Sequence, residues 1–330
     1  MMTSVLIVGA GGIGERHVRC FQKAGIGRVG IVESQAERRE LIAARYGCPG
    51  FADCEEALKA EPWTVGVVAS PAPSHIPIAT RLAEAGLNLL IEKPLAVVPD
   101  GLDRLQVFEA IRTMRVAYVY RHMLPVMELK RRLQAGSLGN PLAAQIVCGE
   151  DYSLARPDYA RIYYGRHETG GGAIQDVLTH FVNTMDWLVG PARDVQCLVG
   201  NRKLRDVSVE DTVCCSIRHE GGCLAGYYVC QGQAPAETSF TVHCENGSVR
   251  ADLSQQRVGE FRPGDAEWTW TQFGPVERDE IYVRQAKAFL DAMAGHPDHA
   301  CMLAEAVHSL NVNIAALESA RSGRCITVVG

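Results

Sequence analysis

Two short stretches of this chain carry side chains able to move a proton or steady a negative charge. The first is Glu92-Lys93-Pro94, which follows the apolar run Leu89-Leu90-Ile91. A lysine at the C-terminal end of a parallel strand stands at the crevice where open α/β sheets take their ligands. Proline restricts the backbone on both sides of the bond, so it can fix where the ammonium points. A Lys-Pro pair by itself is ordinarily a surface loop.

The second stretch runs from Gly170-Gly171-Gly172 through Asp176 to His180. Asp176 and His180 are four apart on a helix and share a face, which Asn183 extends by another turn. The glycines leave space for a ligand, and the helix dipole favours Asp176 as an anion. Ala173, Val177, Phe181 and Leu188 form the packed side. Taken alone, such a face is as readily a polar helix surface with one salt-bridged histidine.

A third motif points to a phosphate-bearing partner. Ser4–Val8 leads into Gly9-Ala10-Gly11-Gly12-Ile13-Gly14, and a helix follows over 15–24. Gly9 allows the tight turn, Gly11 lets the backbone approach a pyrophosphate, and Gly14 permits close helix–strand packing. The helix N-terminus offers free N–H groups and positive potential to the anion. Glu33 stands nineteen residues past Gly14, where a carboxylate accepts from the ribose hydroxyls and repels a 2′-phosphate. NAD is therefore expected, with NADP possible should Arg38 or Arg39 fold back from a solvated helix face.

These residues need a scaffold, and the apolar pattern supplies one. Ser4–Gly9, Val29–Glu33, Val65–Ser70, Leu87–Glu92 and Val116–Tyr120 read as parallel strands covered on both faces. Helical patterns alternate with them, including His75–Ala85 and Gly101–Thr113, the latter with Leu102, Leu105, Phe108 and Ile111 on one face. The expected fold is α/β: a doubly wound, parallel Rossmann sheet over 1–121, then an α+β domain over 122–330 with a largely antiparallel sheet. In the second domain a helix starts near Pro125 and stops at Gly136. Hairpin chemistry recurs at His219-Glu220-Gly221-Gly222 and Glu245-Asn246-Gly247, and two helical patterns close the chain near 281–294 and 303–322.

Composition narrows the class further. Of the 330 residues, 47% are hydrophobic and 22% charged, and the net charge of −5 offers no phosphate-tracking stripe for nucleic acid. Neither a leader peptide nor a membrane span is expected, so the protein reads as cytoplasmic. The twelve cysteines include no C-x₂-C pair, and no disulfide or metal site is expected of them.

Together these features resemble the Gfo/Idh/MocA oxidoreductases, the family named for glucose–fructose oxidoreductase and inositol dehydrogenase. The glycine motif, Ser70–His75 after a strand, Glu92-Lys93-Pro94 and Arg121 after a Tyr-containing strand occur in the same order. So do Gly136-Ser137-Leu138-Gly139, Asp176 with His180, and Ser319 with Ser322-Gly323-Arg324. Two departures stand out: Asn183 where many members carry an acid, and a loose Ser70-Pro71-Ala72-Pro73 loop. The resemblance implies a hydride exchanged between a nicotinamide and a carbinol carbon of a sugar, amino sugar or cyclitol. It implies a homodimer or homotetramer too, for which the second sheet is the expected packing surface.

On chemical grounds Lys93 donates to the reacting oxygen, His180 is the base in oxidation and acid in reduction, and Asp176 orients His180 or grips a hydroxyl. Relatives divide the base role differently between lysine and histidine, so that assignment stays open. The expected cofactor contacts are Gly9, Gly11, Gly12, Ile13, Gly14, Glu33, Ser70, His75, Glu92 and Lys93. Arg121, Arg156, Tyr163 and Asn183 are the expected substrate contacts, with Arg161, Tyr164 and Arg166-His167 bordering the pocket. Two other readings accompany this one: an NAD-retaining enzyme that cleaves glycosides or exchanges hydride between sugars, and a non-catalytic metabolite sensor.

Overall fold

The computed structural model describes residues 3–329. Its first strands and helices are β1 (Ser4–Val8), α1 (Gly12–Lys23), β2 (Arg28–Val32), α2 (Ala36–Tyr46), β3 (Gly50–Phe51), α3 (Cys54–Ala60), β4 (Val65–Val68), α4 (His75–Glu84), β5 (Asn88–Ile91), α5 (Leu102–Gln106) and β6 (Met114–Val116). There follow α6 (Leu124–Gln134), β7 (Pro141–Asp151), α7 (Tyr152–Ala155), α8 (Thr179–Val189), β8 (Ala192–Gly200), β9 (Thr212–His219), β10 (Leu224–Cys230) and β11 (Gly232–Cys244). The chain closes with β12 (Gly247–Asp252), β13 (Arg257–Phe261), β14 (Thr269–Gln272), α9 (Glu280–Met293), β15 (Cys301–Met302), α10 (Leu303–Ser322) and β16 (Ile326–Thr327).

The apolar runs become the strands of a seven-stranded sheet ordered β15-β6-β5-β4-β1-β2-β3. All its pairings are parallel except that of β15 with β6. Every residue of β1 and β4 is buried, as expected for strands covered by helices on both faces. This is the strand order of a Rossmann fold with one antiparallel strand added at its edge.

The unit built on this sheet comprises the residues up to His122 together with Val276–Val307. The sequence division at 121/122 did not include that return. Its physical cause is the apolar face of α1, which needs a cover: Ala286 and Phe289 of α9 join Val18 and Phe21 in one core. Ion pairs fasten the returning segment, with Arg19 donating to both oxygens of Asp279 at 3.0 and 3.2 Å and Arg115 to those of Asp298 at 3.2 and 2.9 Å.

The helix expected over 101–113 is shorter than its pattern. Leu102 and Leu105 are buried, but Val107 and Ile111 are 71% and 65% exposed. With no apolar face left to bury, the backbone past Gln106 tightens into turns, where Phe108, Glu109 and Ile111 donate to carbonyls three residues back.

The second unit comprises Met123–Pro275 and the residues from His308 onward. It is built on a nine-stranded sheet ordered β14-β13-β12-β11-β7-β10-β9-β8-β16, in which only β10 with β7 pairs parallel. A π-helical turn over Ala173–Leu178 precedes α8. Side-chain hydrogen bonds of 2.9 Å from Asn183 to Ser309 and from Asn313 to Thr179 join α8 to α10. Ser319 accepts from the Cys197 amide at 2.9 Å and donates to the Arg324 carbonyl at 2.6 Å, which seats the last turn of α10.

Candidate functional site

In the first unit the site begins where β1 ends. Gly9 has φ +93°, and a Cβ there would lie 2.7 Å from the Ala69 carbonyl oxygen. A Cβ on Gly14 would lie 1.8 Å from the Gly9 carbonyl oxygen, so the helix can approach the strand this closely only at glycine. Gly11 and Gly12 are different. Among the described residues, nothing lies within 4 Å of a Cβ on Gly12, and only an Arg38 guanidinium nitrogen, at 3.7 Å, faces one on Gly11. The first pair therefore shapes the turn, and the second keeps its outer face open for a ligand.

Gly11 is the N-cap of α1 and no side chain caps that end. Its amides and the dipole of a twelve-residue helix suit a pyrophosphate. Ile13 packs against the core beneath. Glu33 lies beside the turn at the end of β2, where its carboxylate accepts from the Ala10 amide at 3.1 Å and from the Gln35 amide at 3.0 Å. It remains partly exposed. Arg39 is committed to the backbone, donating to the Glu33 carbonyl at 2.7 Å. These residues fit a dinucleotide.

Three further expected contacts hold the neighbouring strand ends. His75 is 1% exposed, with Nδ1 3.0 Å from the Pro94 carbonyl oxygen and Nε2 2.7 Å from that of Ser70. It thus ties the loop after β4 to the turn after β5, rather than presenting its ring to a cofactor. Burial lowers its pKa, while the hydrogen bonds to the two carbonyls act the other way. Ser70 also accepts from the Ser74 hydroxyl at 2.7 Å. Glu92 is 7% exposed and its carboxylate meets His17 Nε2 at 2.6 Å. Lys93, half-buried, follows at the end of β5, and its peptide bond to Pro94 is cis.

In the second unit, Asp176 lies on the π-helical turn and is 7% exposed. Tyr163, 45% exposed, donates its phenolic hydrogen to Asp176 Oδ1 at 2.9 Å. His180 is half-buried at the start of α8. The turn itself is held by Glu210, which sequence reasoning missed. Its carboxylate accepts from the Ile174 amide at 2.8 Å and lies 2.6 Å from His167 Nε2. That hydrogen bond to Glu210 raises the pKa of His167. No local signal marked Glu210, since its partners lie 36 and 43 residues away.

Several expected substrate contacts are placed otherwise. Arg121 is 1% exposed, and its guanidinium donates to both oxygens of Glu305 at 2.9 Å, so it fastens the returning segment within the first unit. Asn183 is wholly buried and its amide donates to Ser309, which makes it a helix-packing residue. Tyr164 is likewise buried, its ring tilted against that of Tyr152 with centroids 4.7 Å apart and its hydroxyl hydrogen-bonded to Gln231. Arg156, Arg161 and Arg166 are exposed.

A family model described as an oxidoreductase family with an NAD-binding Rossmann fold matches residues 3–120, and a model of the GFO/IDH/MocA C-terminal domain matches 126–250. The chain belongs to the Gfo/Idh/MocA oxidoreductases. Its cofactor is NAD and it is an oxidoreductase. Among members, 1,5-anhydro-D-fructose reductase of Ensifer adhaerens is 26% identical over 91% of this chain and 90% of that protein. Inositol 2-dehydrogenase 4 of Saccharopolyspora erythraea is 31% identical over 56% of this chain and 53% of that one. The fold is that of levoglucosan dehydrogenase solved with NADH, with TM-score 0.90 at 20% identity over 99% of each chain. In this Gfo/Idh/MocA protein, Glu33 stands beside the glycine turn, bonded to the Ala10 amide.

Proposed function

We propose that this protein is a dehydrogenase or reductase of a sugar, amino sugar or cyclitol, using Lys93, His180 and Asp176. The observation that carries the reading is the half-buried Lys93 at the C-terminal end of β5, two strands from the glycine turn in the same parallel sheet. Bound NAD supplies the hydride acceptor in oxidation and, as NADH, the donor in reduction. The residues do the rest. Lys93 donates to the reacting oxygen and steadies the alkoxide as charge develops on it. His180 takes the hydroxyl proton in oxidation and returns one in reduction. Asp176, already bonded to Tyr163, holds His180 or a neighbouring hydroxyl. Tyr163 and the exposed Arg156 present an aromatic face and a polar fork to a polyhydroxylated ring.

The same reading assigns the cofactor to the first unit and substrate binding to the second. It makes the protein a cytoplasmic homodimer or homotetramer. Support for assembly comes from the open face of the second sheet, where Leu198, Cys214 and Tyr228 are register neighbours and the two large apolar ones are 69% and 41% exposed. Among the described residues no helix is long and apolar enough to cross a membrane.

The test is a turnover assay following NADH absorbance, with NAD or NADP offered against inositols, aldoses, amino sugars and uronates. Reduction of NAD by one substrate class is the expected result. Silence across the panel, with NADH binding intact, overturns the reading in favour of a redox-assisted or sensing role.

A further inference from the structure

We infer that His17 is a positioning residue for Lys93, acting through the carboxylate of Glu92; this rests on the dehydrogenase reading above. His17 lies on α1, three residues beyond Gly14, and its side chain is 1% exposed. Its Nε2 stands 2.6 Å from Glu92 Oε1, while the other carboxylate oxygen accepts from the Lys93 amide at 3.2 Å. One buried carboxylate thus spans the helix that starts at the pyrophosphate cradle and the backbone from which the lysine projects.

Hydrogen-bond accounting fixes how the pair works. His17 Nδ1 has no hydrogen-bonding partner among the described residues. Nε2 is therefore the ring nitrogen whose hydrogen matters, pointing at a Glu92 oxygen that accepts it. The Phe21 ring, 6.3 Å from that of His17, belongs to the apolar core below. A carboxyl group as enclosed as that of Glu92 requires hydrogen-bonding partners for its oxygens. His17 and the Lys93 amide provide them. The peptide plane entering Lys93 is held by this bridge, and so is the direction in which its side chain leaves the strand.

Three variants test the inference: His17→Phe, which keeps a ring and loses the donor; His17→Gln, which keeps a donor near Nε2; and Glu92→Gln. Hydrogen exchange of the apoprotein, read on the peptide containing Lys93, reports the bridge without any turnover. In His17→Phe that peptide should exchange about tenfold faster, the scale of one charge-assisted hydrogen bond, with other peptides unchanged. Turnover should fall on the order of 10²-fold, as for a catalytic group about an ångström out of place. NADH affinity, titrated by fluorescence, should stay within about threefold, and His17→Gln should recover both exchange and turnover. Unchanged exchange in His17→Phe, equal damage in His17→Gln, or a loss confined to NADH affinity would overturn it. Should His17→Phe not fold, Glu92→Gln must show the same local increase in exchange, and its absence overturns the inference. If the wild type turns over nothing, the dehydrogenase reading fails by itself, and exchange still decides whether His17 holds Lys93.

Discussion

The Tyr163 hydroxyl donates to Asp176 Oδ1 at 2.9 Å, joining a ring that solvent reaches to a carboxylate that it barely touches. The phenol thus helps to fix the orientation of the Asp176 carboxylate. Tyr163→Phe removes one partly exposed hydrogen bond worth about 1 kcal/mol, so kcat/KM should fall roughly fivefold with little change in thermal stability. Steady-state kinetics on the best substrate check this. Wild-type kinetics in the variant would take Tyr163 off the site.

Lys93→Ala should lower kcat by a few hundred-fold, the scale of removing one donor to a developing oxyanion. NADH binding should persist, since the cradle and Glu33 are intact. Near-normal turnover in the variant would remove Lys93 from the chemistry.

The glycines of the turn should separate by what they do. Gly14→Ala forces a Cβ to 1.8 Å from the Gly9 carbonyl oxygen and should unfold or markedly destabilise the first unit. Gly11→Ala meets only Arg38 at 3.7 Å and should melt like the wild type, yet bind NADH at least about tenfold more weakly. Calorimetric melting with an NADH titration reads both. An undiminished affinity in Gly11→Ala would place the pyrophosphate elsewhere.

Glu33→Ala should weaken NAD more than NADP, because the carboxylate favours free ribose hydroxyls and repels a 2′-phosphate. Some loss for both is expected, since Glu33 also holds the Ala10 amide of the turn. The ratio of the two dissociation constants is the readout, and an unchanged ratio would mean that Glu33 does not touch the ribose.

Acid should weaken the first unit through His122. This ring is 1% exposed, and its pKa is pushed down to about 3, chiefly by burial and then by His299, Arg121 and Arg284. Its unfolded value is about 6.5, so between pH 6.5 and 3 the unfolded chain binds a proton that the folded one refuses. Stability is full above that window and falls within it by up to about 1.4 kcal/mol per pH unit. Urea midpoints at neutral and mildly acidic pH should show a smaller drop in His122→Asn. An identical drop would assign the acid sensitivity to other groups.

What was legible in the sequence is what is local. Gly9 and Gly14 are demanded by a turn and a close approach within six residues, and β1 and β4 announce themselves as unbroken apolar runs. The segment holding Asp176 and His180 was readable as helical, although not its π-helical start. Pairings across the chain left no such mark. His17 and Glu92 are 75 residues apart and Arg121 and Glu305 are 184 apart, and neither separation imposes a period. An arginine after a strand looks the same whether it awaits a substrate or an internal carboxylate. In α9 the amphipathic pattern said that a face is buried, but not against which core.

That last ambiguity has a cost in time for the living cell. The cover of α1 is supplied by Ala286 and Phe289, which leave the ribosome more than 260 residues after Phe21 has emerged. Synthesis at about 5–20 residues per second leaves this apolar surface uncovered for some tens of seconds. Throughout that interval the nascent nucleotide-binding half carries an apolar face without its native cover. A fragment cut at the apparent domain boundary would carry the same exposed face for its whole lifetime.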